Sequence, residues 1–134
     1  MNFSKTASYS LNILSFMANQ EDAMMSAALL NDKLHIPYPY LRQILLNLSK
    51  SGFIHSVRGR NGGYVFSKRK EEISLADIID ATDGIYSLNK CILGFSKCPF
   101  NDGCSMHGVW EKTRNNIIKV LKETSLADIS RMRK

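Results

Sequence analysis

The side chains best suited to chemistry in this sequence are three cysteines and a histidine that lie close together in its second half. They follow the pattern Cys91-x6-Cys98-x5-Cys104-x2-His107. Thiolates and imidazoles bind zinc and iron–sulfur clusters, so four such residues in one short segment favour a metal site over a set of disulfides. The cysteine count of three is odd, which also argues against a closed disulfide framework. The rest of the sequence has to show what such a site would control.

Length and composition favour a single small globular unit. A chain of 134 residues fits one compact domain, or one domain with a helical appendage, and 44% hydrophobic residues suffice for a core. The first residues lack the apolar segment of a signal peptide, and no apolar run is long enough to span a membrane. We therefore expect a cytoplasmic protein with no membrane partner, in which thiols stay reduced.

The net charge of +6 is confined to the first half of the chain. Residues 1–70 contain nine Lys or Arg against three Asp or Glu, whereas residues 71–134 contain nine of each. This asymmetry predicts an N-terminal part that faces a polyanion such as nucleic acid. A solvated basic surface without a partner would give the same counts.

The basic half contains the pattern of a helix-turn-helix. Ser26 is a suitable N-cap for a helix over residues 27–34, and a second helix is predicted from Tyr38 to Ser51, with Gly52 as its terminator. Its outer face is polar and basic. The residues that we expect nearest to DNA are Pro39, Tyr40, Arg42, Gln43 and Asn47. Helical hairpins are common, so this spacing alone is a weak signal.

A predicted β-hairpin directly after the second helix strengthens the interpretation. Residues 53–58 and 64–66 read as its two strands, and Asn61-Gly62 between them predicts a type I′ turn. A hairpin in this position is a wing. Arg58 and Arg60 are expected at its tip, where arginines can enter a minor groove, although a charged tip is more often only solvated.

The C-terminal third predicts a long helix and a subunit contact. From about Ser105 an apolar stripe runs along one side; its members are Trp110, Thr113, Ile117, Val120, Leu121 and Thr124. A single winged domain cannot cover this stripe, so dimerisation through the helix is expected. The predicted fold class is mostly α with a small two-stranded β wing (α+β). Its parts are a winged helix-turn-helix DNA-binding domain (1–83), a cysteine-bearing loop (84–104) and a dimerisation helix with a short C-terminal helix (105–134).

One pentapeptide, Ser-Leu-Ala-Asp-Ile, occurs at residues 74–78 and again at residues 125–129. Each copy resembles a helix start, with Ser as the N-cap and Asp in the first turn, where the helix dipole favours it. Because the flanking sequences do not repeat, we interpret the two copies as the same capping chemistry used twice.

The motifs together resemble the Rrf-two family of bacterial transcriptional regulators. The resemblance is carried by the segment Ser56-Val57-Arg58-Gly59-Arg60-Asn61-Gly62-Gly63-Tyr64, which follows Tyr40-Leu41 and precedes a three-cysteine loop. It extends over nearly the whole chain, and the combination of wing and cysteine loop is highly specific. The resemblance implies a homodimeric winged-helix regulator that binds a palindromic operator in double-stranded DNA and is not an enzyme.

The resemblance also implies a cofactor and its ligands. In the iron–sulfur members the cysteine loop holds a cluster, so Cys91, Cys98 and Cys104 would be the thiolate ligands. His107 stands where IscR-type members place a histidine ligand, while NsrR-type members use an N-terminal aspartate at a position that is Ser8 here. This favours His107 and a 2Fe–2S cluster, with 4Fe–4S as the other form.

Two positions depart from the family pattern. Six residues separate the first two cysteines, where the IscR and NsrR types have five, so the loop must accommodate one extra residue. Arg42 occupies a position that is glutamate in IscR-like members. A glutamate accepts from cytosine and an arginine donates to guanine, so a different operator is expected.

The spacing of the cysteines by itself leaves several cofactors open. A structural zinc site needs the same four ligands as the cluster, and redox-active thiols or buried structural cysteines also fit. The leading hypothesis is therefore a DNA-binding regulator whose operator affinity is controlled by an iron–sulfur cluster that senses nitric oxide, iron or cluster supply, or oxidants. The alternatives are a zinc-bound or cluster-free regulator that acts through thiol redox chemistry or a protein partner, and an iron–sulfur electron or cluster carrier.

Overall fold

The computed structural model describes residues 3–20, 24–85, 91–95, 98–100 and 103–131. The predicted loop over 86–90, 96–97 and 101–102 and the last residues of the predicted C-terminal helix lie outside the described residues. In chain order the elements are α1 (Lys5–Ala18), α2 (Ala27–Leu34), α3 (Tyr38–Lys50), β1 (Ile54–Val57), β2 (Gly63–Phe66), a 3₁₀ turn (Lys70–Glu72), α4 (Leu75–Thr82), α5 (Ser105–Glu123) and α6 (Leu126–Arg131). The predicted mostly helical fold with a two-stranded wing is confirmed.

Helix α1 lies at the centre of the packing. It contacts α2, α3, α4 and α6, and its buried residues include Ile13, Leu14 and Met17. Both ends of the helix are fastened. The backbone N–H and the hydroxyl of Ser4 donate to the carboxylate of Asp83, and Lys70 Nζ donates to the carbonyl oxygen of Ala18 at 2.9 Å. The negative charge at the N-terminal end and the positive charge at the C-terminal end both complement the helix dipole.

Helices α2 and α3 form the predicted helix-turn-helix. The Ser26 hydroxyl caps α2 by accepting from Leu29 N, and His35 ends this helix in the left-handed region at a φ of 55°. Four residues of α3 face the core: Leu41, Ile44, Leu45 and Leu48. Full burial of a side chain of this size contributes roughly 1.5–3 kcal/mol, so this face fixes the rotation of α3 about its own axis.

The wing forms as predicted, but its turn differs from the prediction. β1 and β2 pair antiparallel, and Val57 stands opposite Gly63. Neither Asn61 nor Gly62 has a positive φ, so the type I′ assignment was wrong. Instead Gly59 takes the positive φ of 131°, and Gly62 N donates to Gly59 O at 3.0 Å. The longer loop leaves room for two arginines between the strands.

Backbone hydrogen bonds fix the wing to the body of the domain. Met25 N donates to Tyr64 O at 3.1 Å, and Tyr64 N donates to Met25 O at 2.8 Å. The chain ahead of α2 therefore pairs with the edge of β2 that β1 leaves open. A Cβ at Gly63 would lie 2.7 Å from the Met25 carbonyl oxygen, so this contact requires glycine.

The two copies of the pentapeptide meet in space. Ser74 and Ser125 form an antiparallel bridge, in which Leu75 N donates to Thr124 O and Leu126 N donates to Ile73 O, both at 2.9 Å. Each serine is the N-cap, as predicted, and the aspartate three residues later, Asp77 or Asp128, completes a reciprocal cap by accepting from the serine backbone N–H. A cap of this kind contributes about 1 kcal/mol. The bridge returns the chain after α5 to the core, where Leu126 is buried.

Helix α5 is largely exposed. None of its 19 residues is buried in this single chain, although it contacts α4. Val109 and Val120 are more than half exposed; Val120 belongs to the predicted apolar stripe, and Val109 was not among its predicted members. A helix with an apolar stripe gains its stability from packing, so a partner surface is expected along this side.

Candidate functional site

The outer face of α3 presents the residues that the sequence predicts for DNA contact. Their side chains, those of Pro39, Tyr40, Arg42, Gln43 and Asn47, are all exposed. Gln43 Nε2 donates to Asn47 Oδ1 at 3.3 Å, so the two amides are aligned one turn apart. Guanidinium and amide groups in this arrangement can donate to and accept from base edges in a major groove.

Leu46 belongs to the same face, and the residue-type reasoning missed it. Its side chain is 47% exposed, between Gln43 and Lys50 along the helix. The four inward positions of α3 are already filled by other residues, so Leu46 is not needed for the core. Its helical position, two residues before Leu48, could have identified it from the sequence. An apolar side chain on such a face can contact a thymine methyl group.

The wing loop carries both arginines to the surface. Arg58 and Arg60 are exposed in the loop between β1 and β2, and neither makes an ion pair with another described residue. At the base of the wing the cations have other roles. Lys68 Nζ lies 5.4 Å from the centroid of the Phe53 ring, and Arg69 Nε lies 3.5 Å from Glu71. Of these wing cations, Arg58 and Arg60 are the two without an ion pair or ring contact to a neighbouring side chain among the described residues.

The three cysteines and His107 line one pocket. Its volume is about 170 Å³, and its wall also includes Ile92, Leu93, Phe95, Phe100, Met106, Trp110 and Arg114. All three thiols are unpaired and half-buried. The structure therefore brings together the four residues that the sequence singles out, inside a largely apolar wall.

Local geometry explains how the loop reaches this pocket. Gly94, at a φ of 88°, closes a turn by donating to the carbonyl oxygen of Cys91 at 2.9 Å. The rings of Phe95 and Phe100 meet edge to face at 6.0 Å, which holds two parts of the loop together. Cys104 is the N-cap residue of α5, yet its side chain makes no capping hydrogen bond, so its sulfur is not used by the helix.

His107 lies in the first turn of α5 and faces a carboxylate. Its Nε2 atom is 3.7 Å from Glu111 Oε2, one turn further along the helix. Histidines that bind metals commonly pass their second ring N–H to a carboxylate, which orients the ring. Glu111 is a residue that the sequence reasoning did not identify, although its i,i+4 spacing from His107 was available.

The residue types of the donor set suit a metal centre, but their placement does not form a ready-made one. Among the described residues, no three His, Cys, Asp or Glu side chains are already grouped closely enough to hold a metal ion. The pocket volume equals several water volumes of about 30 Å³ each. Three thiols and an imidazole match the ligand types of iron–sulfur clusters and equally those of a structural zinc site.

Comparisons with known proteins agree on one family. Residues 3–132 match the Rrf2 (Rrf-two) family, which is described as an iron-dependent transcriptional regulator.

In the part of the chain that the structure describes, no helix is long and apolar enough to cross a membrane.

Individual relatives cover almost the whole chain. A protein of Aquifex aeolicus, named provisionally as a helix-turn-helix transcriptional regulator, is 32% identical over 96% of this chain and 91% of its own. The regulator IscR of Photorhabdus laumondii is 29% identical over 87% of this chain and 71% of its own. These relatives are named as regulators and not as enzymes.

Two solved structures have the same fold. CymR, the global cysteine regulator of B. subtilis, superimposes with a TM-score of 0.80 at 23% identity, over 100% of this chain and 99% of its own. IscR of T. potens superimposes with a TM-score of 0.75 at 25% identity, over 100% of this chain and 89% of its own.

Proposed function

The chain belongs to the Rrf2 family of transcriptional regulators, and from this premise we propose that it is a homodimeric DNA-binding regulator whose operator affinity is controlled by an iron–sulfur cluster. The observation that carries the proposal is the convergence of Cys91, Cys98, Cys104 and His107 on one pocket. This pocket opens at the start of α5, outside the winged helix-turn-helix. The proposed cluster site and the proposed DNA-binding surface thus lie in separate parts of one chain.

The DNA-binding part of the proposal rests on α3 and the wing loop. We assign base reading in the major groove to the exposed face of α3 and minor-groove contact to Arg58 and Arg60. Two-fold symmetry of a dimer then requires a palindromic operator, with half-sites about one helical turn apart. Because the proposed partner is chromosomal DNA, we place the protein in the cytoplasm.

The cofactor part of the proposal rests on the donor set. The three thiolates would bind iron, with His107 as the fourth ligand and Glu111 orienting its ring. The likeness to IscR-type members, with His107 at their histidine position, favours a 2Fe–2S cluster over 4Fe–4S. When bound, the cluster supplies a centre that oxidants, nitric oxide or iron shortage can alter.

The dimer part of the proposal rests on the exposed stripe of α5. Met106, Val109 and Val120 are exposed on one side of the helix, with the half-buried Ile117 between them, and Met106 also lines the cysteine pocket. A second copy that packs along this stripe would bury it and would lie against the pocket. Gain or loss of the cluster would then change the distance between the α3 helices of the two subunits. Cluster binding and DNA binding would be coupled in this way.

The cofactor can be tested on protein purified without oxygen. We expect iron and acid-labile sulfide with a coloured absorption spectrum, near-complete loss of both in Cys98→Ala, and an altered spectrum with weaker cluster retention in His107→Ala. His55→Ala, a change to an exposed histidine on the wing, is the matched control and should retain the cluster. Colourless wild-type protein with one zinc per chain would contradict the cluster and support the zinc-bound alternative.

DNA reading can be tested with a duplex that the wild-type protein selects from a random-sequence pool. Arg42→Ala should weaken binding by about 1–3 kcal/mol and relax the preference at one base pair, because a bidentate contact to guanine is lost. Lys33→Ala removes an exposed cation from α2 and serves as the control. Equal affinity and unchanged base preference in Arg42→Ala would remove this arginine from the reading surface.

The proposed subunit contact can be tested by sedimentation. Val120→Glu places a charge in the middle of the exposed stripe of α5 and should shift the protein from dimer to monomer at micromolar concentration. Asn115→Glu makes the same change in charge on the opposite side of α5 and should leave the dimer intact. Two variants with equal dimer content would place the contact elsewhere.

A further inference from the structure

Tyr40 stands in the first turn of α3, where the helix supplies little support of its own. Its side chain is 50% exposed. The N-cap residue of α3 is Pro37, which makes no side-chain hydrogen bond to the helix, and Pro39 lacks a backbone N–H. The position of this turn therefore depends on side-chain packing rather than on a cap.

Tyr9 on α1 supplies such packing. Its ring meets the ring of Tyr40 at a centroid distance of 6.0 Å and an interplanar angle of 75°, an edge-to-face contact. Tyr9 is partly buried against the hydrophobic core, which holds its ring in place. Tyr40, the other ring of the pair, extends to the surface. An edge-to-face pair is selective for orientation, because the positive ring edge points at the negative face.

Helix α1 is a firm platform for this contact. Its N-terminal end is fastened by Asp83 and its C-terminal end by Lys70, and Ile13 and Leu14, just beyond Tyr9, are fully buried. A ring held on such a helix cannot move without disturbing the core. The pairing consequently limits the rotamers that Tyr40 can adopt on the surface of α3.

We propose that Tyr9 is a positioning residue for DNA recognition, which holds Tyr40 in the orientation that contacts the operator. This inference rests on the proposed role of α3 as the reading helix. Tyr9 itself lies behind the surface and touches DNA only through Tyr40. Because Tyr40 is already ordered before DNA binds, less conformational entropy is lost on binding. Loss of this order should weaken binding to the specific operator more than binding to non-specific DNA.

The test uses the full-length protein and two duplexes of equal length, the selected duplex and a scrambled one. Tyr9→Leu retains apolar volume but removes the aromatic edge, and it should weaken binding to the selected duplex by about three- to tenfold. Tyr9→Phe retains the ring and should bind like the wild type. Binding to the scrambled duplex should change less than twofold in either variant.

A double-mutant cycle separates positioning from a general structural role. In a Tyr40→Ala background, Tyr9→Leu should have no further effect on affinity for the selected duplex, because the residue it positions is absent. Thermal unfolding is measured in parallel. Additive losses in the double variant, or Tyr9→Phe binding as weakly as Tyr9→Leu, would overturn the positioning role.

The outcomes also distinguish this inference from the proposed function. If Tyr40→Ala and Arg42→Ala both bind the selected duplex like the wild type, α3 is not the reading helix and both proposals fail. If these two variants bind weakly while Tyr9→Leu binds normally, DNA reading by α3 stands and only the role of Tyr9 is lost.

Discussion

Burial of α1 is the constraint on which the other elements depend. The helix packs against α2, α3, α4 and α6, so it sets the position of the helix-turn-helix and of the segments that flank the cysteine loop. Its N-terminal end is fastened to Asp83, directly before that loop, and its side chain Tyr9 meets Tyr40 on the proposed reading helix. Any shift of α1 would disturb both regions, because close-packed interiors move between discrete arrangements rather than deforming continuously.

The second connection between the two regions is α5. This helix begins at the cysteine pocket with Cys104 as its N-cap and extends about 28 Å for its 19 residues. At its far end the bridge between Ser74 and Ser125 returns the chain to the core. Helix α5 thus joins the cysteine pocket to the core, and the proposed subunit contact lies along the same helix. The family assignment supports regulation of transcription, and these contacts supply a physical route for it.

Much of the fold could be predicted from local signals. The cap at Ser26, the periodic leucines of α3 and the N-cap serines of the repeated pentapeptide each depend on neighbours in sequence, and each prediction was confirmed. The turn of the wing was predicted wrongly: the positive φ lies at Gly59, and Gly62 is required instead because a Cβ there would lie 2.3 Å from the Val57 carbonyl oxygen. Contacts such as Met25 with Tyr64, or Tyr9 with Tyr40, join distant residues, and no local pattern encodes them. The ligand and DNA-contact assignments stay predictions: the cysteines and His107 line one pocket, and the predicted α3 residues are exposed.

The central claim is that the cysteine pocket controls DNA affinity, and one measurement tests it directly. Fluorescence anisotropy, without oxygen and at fixed salt, would compare cluster-loaded protein with the same preparation after iron removal, on the same selected duplex. Fixed salt is essential, because phosphate contacts make the affinity strongly salt-dependent. Typical coupling energies of about 1–3 kcal/mol predict a change of roughly 5- to 150-fold. Equal affinity of the two forms for the duplex would contradict the account.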